Sequence, residues 1–380
     1  DHAIQALGTL RKLGAGPCAE PIAACLERPD LRFAAAEILL ELDRERWLRT
    51  VLRAGGGSVV PLARAQPRDY EKPLSGFLTD PDPTVAGEAA LGLDATGRAA
   101  PYRAGLAALL ESSRGETARA ATDALLKLPP RPRYPEVVAY LSSPNADARL
   151  RAYRLLGRLG ALGDAEEVAR GLQGPDRAWA VESLGMMAAR EHAGRVAGCL
   201  DQRGCRREAL RALRQMGDLG QREAVAACLD DPDVRVRSEA ALALAWLGDR
   251  RAVPGLLAIV NRKFPDAWTF DNELLVALNG LRQPARFQRL AGLRLHSTLI
   301  APRVSDVLKV IVSKSGLRLE DPQSVTGRSG YSFIAPGTLA QLLDEMRFWN
   351  DGAFILEDDR LRVVSREEAW RLGKEWLQHP

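Results

Sequence analysis

Between Asp230 and Val260 the apolar positions fall into two helical stretches: Val236, Ala240, Leu244 and Leu247 in the first, Leu256, Leu257 and Val260 in the second. Steps of three and four residues place each set on one helix face. Pro232 and Asp233 start the first helix, Gly248 and Asp249 turn the chain, and Pro254 opens the second. Equivalent turns recur at Pro29, Gly56, Pro81, Gly115, Pro144, Pro175, Gly204, Pro232 and Pro265, a mean spacing of 29.5 residues. A helical pair of that size cannot bury its apolar face alone, so about ten such pairs are expected to stack into one continuous core.

From about Phe287 the period changes. Leu293 to Ile300 alternates like a strand, Val304 to Ser315 has helical spacing, and Leu317 to Leu319 is strand-like again. A loop with Asp321, Pro322, Gly327 and Gly330 leads into strand-like Tyr331 to Ile334. Thr338 then caps a helix bearing Leu339, Leu342, Leu343 and Met346. Phe354 to Glu357 and Leu361 to Val364 form a hairpin, and an amphipathic helix, Glu367 to Leu377, follows. The expected fold is an α-solenoid over residues 1–286 followed by a small α+β module (βαββαββ) over 287–380 with a terminal helix.

The run Asp-Pro-Asp, Val-Arg, Ala-Ala-x-Ala-Leu, Leu-Gly-Asp, Ala-Val-Pro-x-Leu within Asp230 to Val260 resembles the short HEAT-like repeats of phycobilin-lyase-type and bacterial scaffold proteins. Leu141 to Leu172 and Leu26 to Leu52 follow the pattern less closely, and in Arg53 to Leu78 the stretch Gly55-Gly56-Gly57-Ser58 replaces the usual turn. Repeats of this kind host binding surfaces, lyases, hydroxylases and DNA glycosylases, so the fold alone selects no function. The stretches SDVLKVIVSKSGLRLEDPQSVTG, LAQLLDEM and GAFILEDDRLRVVS resemble the short N-terminal domain of secretins and TonB-dependent receptors. That resemblance implies a module that docks a partner protein in the periplasm, although no secretin barrel follows it.

Composition narrows the function. The chain is 46% hydrophobic with a net charge of +4 over 380 residues, far from the basic balance of a nucleic-acid reader. No apolar run approaches the roughly 20 residues needed to span a bilayer. Arg supplies 46 of the 53 basic residues, a bias that reads as genome composition. The chain opens at Asp1, an N-cap before Ile4, Leu7, Leu10 and Leu13, which suggests that it begins inside a larger gene product.

Catalytic and metal chemistry find few residues to work with. The four His are His2, His192, His296 and His379, none with a second ligand at helical spacing. Iron hydroxylases built from HEAT-like repeats use His-Glu pairs, and here only the reversed Glu191-His192 occurs, placed as a helix end. Cys25, Cys199 and Cys228 share one repeat position just before a Leu, as small buried hydrophobes; Cys199 and Cys205 are the one pair close enough in sequence to test for a bridge. Gly14 to Gly16 and Gly55 to Ser58 are turns, and Glu357, Asp358 and Asp359 are solvated residues of a hairpin tip. No cofactor, metal or catalytic residue is expected.

Two features are candidate partner-binding elements. Arg207, Arg211 and Arg214 form a helical stripe, as do Arg151, Arg154 and Arg158, able to meet phosphate or an acidic protein. Phe348 and Trp349 are adjacent at a helix end and point about 100° apart, so both cannot easily face one core; packing against the final helix through Trp370 or Trp376 and contact with a partner are the two readings. The sequence therefore reads as a non-enzymatic protein-interaction scaffold of the bacterial cell envelope or periplasm. The alternative is a HEAT-like enzyme or nucleic-acid-binding protein using an Arg-rich repeat surface.

Overall fold

The computed structural model describes residues 2–14, 16–261, 270–285, 287–288, 293–295, 299–301, 309, 312–313, 315–320, 332–334, 337–338, 352–357 and 360–378. It divides into two compact units, residues 1–129 with 139–152, and residues 130–138 with 153–380. Long helices recur along the chain: α1 (Arg32–Leu42), α2 (Pro83–Ala95), α3 (Gly115–Lys127), α4 (Ala146–Leu159), α5 (Arg177–Met187), α6 (Arg206–Met216) and α7 (Val234–Trp246). Between them run short helices such as Arg103–Ala108, Ala165–Arg170 and Arg222–Ala226, each followed by a tighter 3-10 turn. That turn brings a leucine into the core: Leu110 and Leu172 are both buried, as is Leu26 at the equivalent place.

The turns are built by one repeated device. In Asp231-Pro232-Asp233 the first carboxylate accepts the N–H of Asp233 at 2.8 Å, and the second caps α7 by accepting the N–H of Arg235 at 2.8 Å. Asp80 and Asp82 do the same ahead of α2 at 2.9 Å each, and Ser143 and Asn145 ahead of α4 at 3.0 Å each. Pro between the two acceptors loses nothing, because its missing N–H lies where no helical partner exists.

Within the first unit α2 packs along α3; within the second, α5 packs along α6, α6 along α7, and α7 along α9 (Phe270–Arg282). Their buried faces are small: Ala86, Ala89 and Ala90 on α2, Ala118, Ala121 and Ala124 on α3, Ala240, Ala241 and Ala243 on α7. Close backbone approach follows, as at Gly280 of α9, where an added Cβ would collide with the carbonyl of Ala245 on α7. Such stacked helical pairs fit an α-solenoid.

Seven short strands are described beyond α9. β1 (Arg294–Leu295) pairs antiparallel with β5 (Gly337–Thr338), and β2 (Leu299–Ala301) with β4 (Ser332–Ile334). β3 (Arg318–Glu320), β6 (Gly352–Glu357) and β7 (Arg360–Ser365) form one sheet in the order β3-β7-β6. The β6–β7 hairpin is antiparallel with Glu357 opposite Arg360, whereas β3 runs parallel to β7. The helix expected over Val304 to Ser315 lies largely outside the described residues, and the one expected after Thr338 wholly so. Helix α10 (Arg366–Gln378) closes the chain and packs on α8 (Val253–Asn261) and α9, while β6 also packs on α9. Packing thus continues across residue 286 from the last repeat helices into the hairpin.

Candidate interaction surface

The arginines expected to line helix faces have distinct fates. Arg207 and Arg211 lie about half exposed on α6, and Arg211 reaches Glu239 on α7 at 2.8 Å. Arg214 does not join them: it is only 1% exposed, with its guanidinium carbon 5.7 Å from the ring centroid of buried Trp246. Spacing gave the correct helix face but not what stands beyond it, and at that level the face meets the end of α7. On α4, Arg151 donates to the carbonyls of Leu110 and Ser112 at 2.7 and 2.9 Å, a structural clamp within the first unit. Arg154 belongs to the second unit and lies 3.8 Å from Glu182, with Arg158 half-buried. Phe348 and Trp349 lie outside the described residues.

The abundance of arginine acquires a physical meaning here. Arg103, Arg190 and Arg222 each stand at or near the start of a short helix and donate to a carbonyl at or just past the end of the following long helix: Pro129, two residues beyond α3, at 2.6 Å, Met216 at 2.6 Å and Leu247 at 2.7 Å. Carbonyls at a helix C-terminus have no intrahelical donor, so a guanidinium satisfies them across the repeat interface. Carboxylates supply a second set of ties: Arg49 with Asp80, Arg206 with Asp231, Arg251 with Glu223 and Arg195 with Glu166. Sequence reading missed this use because each partner sits in the neighbouring repeat, beyond the reach of helical spacing.

Charged groups respond to these ties. The Arg49 hydrogen bond, opposed by partial burial, holds the Asp80 carboxyl below its ordinary range, and the Asp233 N–H does the same for Asp231. Burial pushes two carboxyls the other way. Asp164 is 3% exposed and accepts the Tyr134 N–H at 2.6 Å; Glu88 of α2 is half-buried and accepts the Gly57 N–H at 2.9 Å. That second contact explains the departure from the repeat pattern at Gly55 to Ser58. Gly55, Gly56 and Gly57 all have φ near +70°, and the resulting loop turns a backbone N–H toward Glu88.

Cys199 and Cys228 are buried as expected of their repeat position, but Cys25 is half-buried, because it lies in the first described repeats where less of the array covers it. Cys25, Cys199 and Cys228 each donate to the carbonyl four residues earlier, at 3.6, 3.8 and 3.7 Å. Cys199 and Cys205 are buried free thiols, with Cys205 Sγ 3.5 Å from the Cys199 carbonyl, and burial pushes Cys199 up to about 11. His192 ends the 3-10 turn Arg190–His192, buried, with Nδ1 3.9 Å from Glu166 and Nε2 4.0 Å from Glu191. Among the described residues no group of three or more His, Cys, Asp or Glu is arranged to hold a metal ion. Also among them, no helix is long and apolar enough to cross a membrane.

The second unit carries two concavities of similar size. A groove of about 320 Å³ runs between α7 and α8, lined by Leu229, Val234, Arg237, Ser238, Pro254 and Ile259. A second, of about 310 Å³, lies where α8, α9 and α10 meet, with Leu278 and Leu377 at its base and Arg250, Arg282 and Trp376 among its walls. Neither is readable from sequence, since each needs helices brought together from separate stretches of chain.

No curated protein matches the chain. Among solved structures, the crystal structure of an engineered protein from a structural genomics consortium aligns over 72% of this chain and 78% of its own, with 19% identity and a TM-score of 0.36. Residues 200–267, which span α6, α7 and α8, match the sequence model of HEAT repeats.

Proposed function

We propose that the chain is a non-enzymatic protein-interaction scaffold of the bacterial cell envelope, with a repeat array over 1–286 and a partner-docking module over 287–380. The observation that carries this reading is the way charge is spent. Arg151 is committed to backbone carbonyls, Arg211 and Arg154 face Glu239 and Glu182, and Arg214 is buried, so these faces of α4 and α6 offer mixed charge in place of a bare cationic track for a phosphate backbone. Arg207 and Arg211, with Arg154 and Arg158, remain on accessible faces where an acidic and basic mosaic suits a protein partner. Phe348 and Trp349 are proposed as an anchor on the C-terminal module.

The sheet supplies a second docking element. β3 pairs with β7 on one side and with no described strand on the other, which is the arrangement that accepts an extended peptide through backbone hydrogen bonds. The envelope assignment rests on the resemblance of 287–380 to the secretin and TonB-receptor module. Photo-crosslinkers placed at Arg207 and Arg318 in cells of the source bacterium test the proposal. Crosslinks to a small, reproducible set of envelope proteins are expected; crosslinks to nucleic acid, or none from either position, would overturn it.

A further inference from the structure

The pocket at the meeting of α8, α9 and α10 has an unusual division of charge. Its base is apolar, with Leu278 and Leu377 each 2% exposed, and Val253 and Leu281 half-buried beside them. Its rim carries two exposed cations, Arg250 and Arg282. Glu375, the acid on that rim, is held by Arg371 at 2.8 Å. Among the described residues neither Arg250 nor Arg282 meets a carboxylate, in contrast to Arg206, Arg211 and Arg251, which are neutralised where they stand.

Arg282 is also held in a definite attitude. Its guanidinium carbon lies 4.0 Å from the centroid of the Trp376 ring, a cation–π contact that holds the group over the indole. Stacking consumes a face of the guanidinium and leaves its N–H edge, the part that pairs bidentately with a carboxylate. A volume of about 310 Å³ takes one or two side chains. Apolar floor, oriented arginine and a second cation together demand an anion attached to an apolar group.

The geometry points to a pocket that captures the C-terminal carboxylate of a partner polypeptide, with its last apolar side chain on Leu278 and Leu377 and its carboxylate on Arg282, assisted by Arg250. That the ligand is a polypeptide rests on the scaffold reading; the charge pattern itself does not.

The test uses the full chain and the tripeptide acetyl-Gly-Leu-Phe, as free acid and as C-terminal amide, followed by saturation-transfer NMR and calorimetry. The acid is expected to bind and the amide to bind about tenfold more weakly or less, since the charge-assisted hydrogen bonds are lost. Arg282→Gln is expected to weaken the acid by a similar factor. Arg250→Gln, at an exposed position, is expected to weaken it while leaving the melting temperature unchanged, which keeps the test valid if Arg282→Gln disturbs Trp376. Equal affinity for acid and amide, absence of acid binding, or undiminished binding to the Arg250→Gln/Arg282→Gln double variant would overturn the assignment. So would 3-phenylpropionate binding as tightly as the peptide, which would make the ligand a small carboxylic acid. Failure here leaves crosslinking to envelope proteins untouched, and failure of crosslinking leaves peptide-acid binding untouched.

Discussion

The side-chain oxygen of Asn279, on the last repeat helix, accepts the backbone N–H of Leu356 in strand β6 at 3.1 Å, and both residues are buried. The N–H of Leu356 points away from β7, so an outward donor of the β6 edge is already occupied by α9. Asn279→Ala would strand that N–H away from water, at a cost of about 1–3 kcal/mol. Chemical denaturation followed by near-ultraviolet dichroism would measure it.

The same contact sets the smallest fragment that retains the C-terminal packing. A fragment of residues 270–380 keeps α9 beneath β6 and α10 and is expected to give a better-dispersed amide spectrum than 287–380, which exposes Leu356 and Leu377. Equal dispersion from the shorter fragment would show the module to be independent of the last repeat.

Arginine ties between repeats should be unequal in value. Arg222→Ala leaves a carbonyl of the α7 terminus, that of Leu247, without its donor and is expected to cost about 1–2 kcal/mol. Arg154→Ala removes an exposed pair at 3.8 Å and should change stability by less than about 0.5 kcal/mol. Urea unfolding of both variants checks the order.

Glu88 gives a pH signature with a definite sign. Burial raises its carboxyl in the folded state, so the folded protein holds that proton more tightly than the unfolded chain. Its contribution is most favourable below the unfolded value of about 4.5 and is lost as pH rises through the folded one. Glu88→Gln keeps an acceptor for the Gly57 N–H without the charge. The variant is expected to be at least as stable as the parent at pH 7, with the difference shrinking on acidification. Asp80 and Asp231 act oppositely, losing their stabilising ties as pH falls below about 4.

Thiol reactivity should separate the cysteines into two classes. Cys199, Cys205 and Cys228 are buried with raised values, whereas Cys18 and Cys25 are partly exposed. Iodoacetamide at pH 8 is expected to modify Cys18 and Cys25 first, read by peptide mass mapping. Rapid modification of Cys199 would contradict its placement in the core.

Local signals carried much of this architecture. Asp-Pro-Asp marks a helix start because both acceptors act within four residues, and the alternation through Phe354 to Val364 marks a hairpin because its partner strands are adjacent. Arg214 shows where such signals end: its face follows from spacing, but burial against Trp246 depends on a helix some 30 residues on. The parallel pairing of β3 with β7 and the pocket beneath Arg282 are distant in sequence in the same way. Site residues suffer most, because a helical period reports direction and a binding surface is decided by what the neighbouring repeat has already neutralised.

Arg103, Arg190 and Arg222 all point forward along the chain, each serving a helix end that lies 25 or 26 residues later. In order of synthesis the donor therefore leaves the ribosome before the carbonyl it serves. At these three junctions the earlier repeat presents a waiting guanidinium to the helix that emerges next, whereas Arg151 and Arg195 reach back to carbonyls already made. Where the donor comes first, removing the earlier element strips a helix end of its partner while removing the later helix only idles a guanidinium, so the two ends of such a junction are not equally vulnerable.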